Sequence, residues 1–403
     1  MMREFILHNG IGACVKINPN TPRVALSLNF SITKPERHAG EYLLMSRLLL
    51  KGTQKYSSEE LSSILDENAI DMFAETKCDY LRFRFVALNE DFELGLSILS
   101  DIIKNSTFKE FEKEREKLKG ELFAELDSAK VKVSDLFTKT IYKDHFYGNS
   151  YTKILEEIDK ISFDDIINAY NDIVKNSKKT LTLVGDIEFE QAENLLNRYL
   201  EQIDGTVEKE SDIQTPNRVS QEYVELIKED AQQAQILQGW QVASLDSDDY
   251  HKLMLLNVIL GASGLSSRLF LELREKKGLA YTVRTSYEVH LKSSVFSIYI
   301  GTEPSNIQVS IDGFREEINK IKTVLVSEEE LHNAKNNLIG KQQFITETNA
   351  QQANLMAYYS ISGYPYDYQA KLIEKIRKVT PEELKECANK YFTDDYVIAV
   401  IRP

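Results

Sequence analysis

The side chains that could do chemistry are few in this chain. The six histidines, His8, His38, His145, His251, His290 and His332, stand apart, and no two share the spacing that would put a pair of imidazoles on one helix face to hold a metal. Cys14, Cys78 and Cys387 are scattered without C-x-x-C spacing, which reads as apolar packing in a reducing compartment. There is no G-x-S-x-G elbow and no Walker loop, and Gly261-Ala262-Ser263-Gly264 lacks the third glycine of a nucleotide-binding turn. Two residues hold more promise: Arg274, in a charged run, and Tyr281, seven positions on. A guanidinium can grip a carbonyl or carboxylate through charge-assisted bonds worth about 1.5 to 3 kcal/mol, and a phenol can donate to a developing oxyanion. Spacing alone equally allows Arg274 as a surface cation and Tyr281 as a core aromatic opening a strand.

The elements that must position these residues repeat. Ser162 with Asp165, and Thr380 with Glu383, are helix-capping signatures, the second followed by Pro381 at the first helical position. Ile166, Ala169 and Ile173 then match Leu384, Cys387 and Tyr391 at helical spacing, and each helix runs into a strand, at 180–184 and 396–400. Thr107 with Glu110 and Ser327 with Glu330 announce two long charged helices at a similar offset. Further strands are expected at 24–31, 81–88, 223–227, 235–242 and 295–300. The pattern predicts an α+β fold of two homologous halves, each an antiparallel-rich sheet covered by helices on one side. The first half spans 1–205, a polar linker 206–222, and the second half 223–403. The net charge of −14 argues against nucleic acid and anionic membrane as partners. The absence of a long apolar run or an apolar leader leads us to expect a cytoplasmic protein.

Around Gly40 the chain reads Glu36-Arg37-His38-Ala39-Gly40-Glu41-Tyr42-Leu43-Leu44-Met45-Ser46-Arg47, ending in Lys51-Gly52-Thr53. This segment resembles the pitrilysin or insulinase type of zinc peptidase, whose pattern is a Glu, a Gly, then H-x-x-E-H on a helix ending in Lys-Gly-Thr. Counting from either flank places the family's two histidines at Leu43 and Arg47 and its glutamate at Ser46. Leu43 has no donor atom, Arg47 is a permanent cation, and Ser46 is no base near neutral pH. The third ligand position falls on Glu121, which could pair with Arg47 in place of the metal.

The resemblance implies no zinc on this chain and no hydrolysis by it alone. It also gives Arg274 and Tyr281 a role, since the segment from Gly264 to Tyr281 resembles the one that sends an Arg and a Tyr into the family's active chamber. Phe73 and Ala74 match the family's edge strand, which pairs with extended peptides. The implied protein is the non-zinc subunit of a heterodimeric metallopeptidase, whose partner is a paralogue carrying H-x-x-E-H and zinc and whose substrates are peptides. The alternative is a catalytically inactive structural or peptide-binding subunit of a larger assembly.

Overall fold

The computed structural model describes all 403 residues. Eleven strands form two sheets: β1 (Met2–Ile6), β2 (Gly12–Ile17), β3 (Arg23–Ser31), β4 (Asp71–Thr76), β5 (Tyr80–Leu88) and β6 (Lys179–Gly185) in the first, β7 (Glu222–Ile227), β8 (Ala234–Val242), β9 (Ala280–Glu288), β10 (Ser294–Thr302) and β11 (Val397–Arg402) in the second. The orders are β1-β2-β6-β3-β5-β4 and β7-β11-β8-β10-β9. Apart from the added β1, one order maps onto the other strand for strand, so the repeat read in sequence is a repeat of topology. All pairings are antiparallel except β2 with β6 and β7 with β11.

The chain forms two compact units, and they are not the two sequence halves. One unit comprises residues 1–120, 155–213 and 343–368; the other comprises 121–154, 214–342 and 369–403. In the first unit the helix Asn349–Ile361, from late in the chain, lies against β3 and β6. Thr182 donates its hydroxyl to the Ala353 carbonyl at 2.6 Å, and Cys14, Ala25 and Val184 pack with Ala353 and Met356. In the second unit the helix Ala129–Ile141, from early in the chain, lies against β8 and β11. A Cβ on Gly239 would fall 2.6 Å from the Phe137 ring, so glycine is what lets that helix sit down. The two helices occupy equivalent places in the repeat and are exchanged between units, which a cut at 206–222 does not capture.

The exchange corrects the expectation of one-sided cover. Side chains alternate across a strand, so Thr180, Thr182 and Val184 face the exchanged helix while Leu181 and Leu183 point the other way, and every residue of β6 is buried. Residues 180–184 of β6 and 397–401 of β11 therefore read as unbroken runs of apolar residues and threonine. The capping boxes at Ser162 and Thr380 form as expected. The long helix Phe111–Leu126 does not start at Thr107: Phe108 adopts a left-handed φ of 52°, and the first helical bond runs from the Glu114 amide to the Glu110 carbonyl. Residues 206–213 of the linker are held down, with Ile213 buried and the Asp212 amide donating to the Thr33 carbonyl.

Candidate functional site

In the first unit the helix Glu41–Leu48 carries the degenerate motif. Glu36 builds its start: one carboxylate oxygen accepts from the Gly40 amide at 3.1 Å and the other from the Tyr42 amide at 2.9 Å. Gly40, at φ 93°, makes the left-handed entry that other residues resist. Leu43 is half-buried, and the Ser46 hydroxyl donates to the Leu43 carbonyl at 3.0 Å. At the end of β4, Thr76 donates to the Tyr42 carbonyl at 3.0 Å, fastening the edge strand of Phe73 and Ala74 to this helix. Phe73 is exposed, with the Arg84 guanidinium 4.5 Å from its ring centre.

Arg47 and Lys51, one helical turn apart, both reach Glu114, at 3.6 and 3.2 Å, and Glu114 is buried. Glu114 lies two turns before Glu121, which is exposed on the same helix. Sequence reasoning passed over Glu114; the signal was a pair of cations at i and i+4 with a glutamate seven residues ahead of the matched position. A zinc ion needs three or four donor atoms at about 2 Å. Here the helix offers a leucine, a serine and a guanidinium, and the buried carboxylate already answers two cations. These residues do not fit the metal. Burial raises the carboxyl of Glu41, in the first turn, to about 7, against the pull of the His38 amide.

In the second unit Arg274 and Tyr281 come together. Arg274 lies on the π-helical stretch Phe270–Lys276, where the Lys277 amide bonds to the Glu272 carbonyl five residues back. Such widened turns recur at functional sites. Gly278, at φ 63°, stops the helix and turns the chain into β9. The register of β9 on β10 then slips: Gly301 faces Thr282 and Thr302 faces Ala280, so Tyr281 is the extra residue of a β-bulge. A bulge re-aims its side chain, and Tyr281 is 79% exposed rather than the core aromatic its strand position allowed. The Arg274 guanidinium lies 4.7 Å from the Phe270 ring centre and 5.0 Å from that of Tyr281. None of its N–H groups meets a protein acceptor, which leaves the fork available.

A cleft of about 470 Å³ opens beside this pair, lined also by Arg284 and Thr285 of β9. Its floor depends on Gly261, where a Cβ would come within 2.5 Å of the Thr285 amide nitrogen. β9 is the open edge of its sheet, as β4 is of the first.

A family model described as "Insulinase (Peptidase family M16)" matches residues 17–157, and one described as "Peptidase M16 inactive domain" matches residues 160–338. The chain belongs to the M16 peptidase family. Among M16 relatives it is 24% identical to the "Uncharacterized zinc protease YmxG" of Bacillus subtilis, over all of this chain and 98% of the relative. It is also 24% identical to the "Non-peptidase homolog YmxG" of Helicobacter pylori, over 85% of this chain and 79% of the relative. The crystal structure of a protease from Helicobacter pylori shares its fold, with a TM-score of 0.91 at 20% identity and full coverage of both chains. This is therefore an M16 chain whose metal helix lacks the residues the metal requires. None of its helices is long and apolar enough to cross a membrane.

Proposed function

We propose that this chain is the non-zinc subunit of a two-chain M16 metalloendopeptidase of the processing-protease kind, acting in the cytoplasm. Arg274 and Tyr281 hold an extended peptide and polarise its carbonyl, while the zinc and the general base belong to a paralogous subunit bearing H-x-x-E-H. Phe73 and Ala74, on the open edge β4, add backbone pairing to a peptide. One observation carries this reading. Arg274, its donors unanswered within the protein, is stacked beside an exposed tyrosine turned outward by a bulge, next to an open strand edge.

The test is co-purification with the candidate paralogue and a peptide-cleavage assay. Arg274→Ala and Tyr281→Phe in this chain should each lower kcat by about 10²-fold or more, the scale of losing one transition-state donor. Cleavage equally fast with both residues replaced would sink the shared-site mechanism. The second reading, an inactive structural or peptide-binding subunit, draws support from the ion-paired Arg47, Lys51 and Glu114. It predicts a stable complex that cleaves nothing in any combination.

A further inference from the structure

Resting on that reading, we propose that the open edge of β9 recognises a carboxylate on the bound peptide, and that Arg284 is the residue that selects it. Five cations lie between residues 268 and 284. Three are neutralised: Arg268 by Glu330 at 2.7 Å, Lys277 by Glu316 at 2.7 Å, and Lys276 by Glu272. The other two, Arg274 and Arg284, meet no carboxylate, and the lining of the cleft beside β9 contains no acidic residue. In a chain with 63 acidic and 49 basic residues, two unanswered guanidinia beside one open strand edge form a local positive site against the overall field. Thr285 turns toward Gly261 at the floor of the cleft, so Arg284, its neighbour along β9, projects from the other face of the sheet.

Arg284 is also held ready. Its guanidinium lies 5.5 Å from the Tyr299 ring centre, and Tyr299 is fixed by donating its hydroxyl to Gln235 at 2.6 Å. Lys130 lies 5.6 Å from the same ring centre, so the ring draws two cations to one place. Arg284 forms no bond to a carboxylate there, which leaves its N–H groups for one on a ligand, held through two parallel bonds. Arg284 stands three residues along β9 from Tyr281, about 10 Å at the usual ~3.3 Å rise per residue. A peptide added to the open edge of β9 would thus offer its carboxylate two to three residues from the carbonyl held by Arg274 and Tyr281. An aspartate or glutamate side chain supplies this chemistry, and so does a chain terminus.

The experiment is fluorescence anisotropy of the full chain with labelled ten-residue extended peptides. A single Glu or Gln is scanned along each peptide, which is made both as C-terminal acid and as amide. A carboxylate at the right register should bind about tenfold tighter than its neutral counterpart. Arg284→Gln should erase that preference, read as the ratio of charged to neutral affinities within each variant, with Arg284→Lys restoring part of it. Preference for Glu at one position assigns a side chain; preference for acid over amide assigns the terminus. Equal binding of charged and neutral peptides, or a preference that survives Arg284→Gln, overturns the inference. In that case Arg274→Ala still weakening every peptide leaves the peptide-holding role standing, whereas no binding of any peptide overturns both.

Discussion

At Glu41 burial and charge are in conflict within the first turn of the motif helix. Its folded carboxyl is raised to about 7, chiefly by burial, whereas an unfolded one titrates near 4.3. Between those values the folded state holds the proton and the unfolded state does not. Stability therefore falls as pH rises from about 4.5 through 7, then levels off, by on the order of 3 kcal/mol. Urea melts of the wild type and Glu41→Gln across pH 4.5 to 8 should show a slope present in the first and lost in the second. Glu114→Ala should destabilise by about 1 to 3 kcal/mol, because two cations lose a buried counter-charge while staying wet enough to be hydrated. Titration calorimetry with zinc should give no stoichiometric binding; one tight equivalent per chain contradicts the chemistry of Leu43, Ser46 and Arg47. These three were legible because flanking residues fix their register. Glu114 was not, because its importance depends on which helix face meets Arg47 and Lys51 some sixty residues away.

Turns and caps were legible to the extent that they are local. Ser162 and Asp165 satisfy each other within four residues, and the sequence contains the whole interaction. Thr107 and Glu110 fit the same S/T-x-x-D/E pattern, yet Phe108 turns left-handed and its ring is buried, and the helix starts later. The π-helical stretch Phe270–Lys276 was invisible, since widening a turn by one residue changes no composition. The bulge at Tyr281 is set by the register of β9 on β10, which no single strand encodes. Both place the Arg274 and Tyr281 pair, so its geometry was the part of the site hardest to read. Gly261 tests this directly: Gly261→Val drives a side chain into the β9 backbone at Thr285. Peptide affinity measured by anisotropy should drop at least as far as with Arg274→Ala, together with a Tm lower by several degrees.

For the whole chain, the repeat gave the two sheets but not the units, because repeats are found by comparing neighbouring residues and an exchange appears only in three dimensions. Expressed alone, residues 1–205 lack the helix Asn349–Ile361 that covers β3 and β6, and residues 223–403 lack Ala129–Ile141. Each half should be insoluble or molten by near-ultraviolet circular dichroism. Co-expressed as separate chains, they should give a soluble pair with the intact protein's spectrum. A half that folds cooperatively by itself counts against the exchange. The same feature imposes a timetable on synthesis. β6 leaves the ribosome long before the helix that seals its second face, and at ~5–20 residues per second the wait is roughly ten to thirty seconds. During that interval Cys14, which is buried beside Ala353 in the finished unit, stands open to water on the nascent chain. Ribosome-stalled chains ending before residue 349 should react there with a thiol reagent that the released full-length protein refuses.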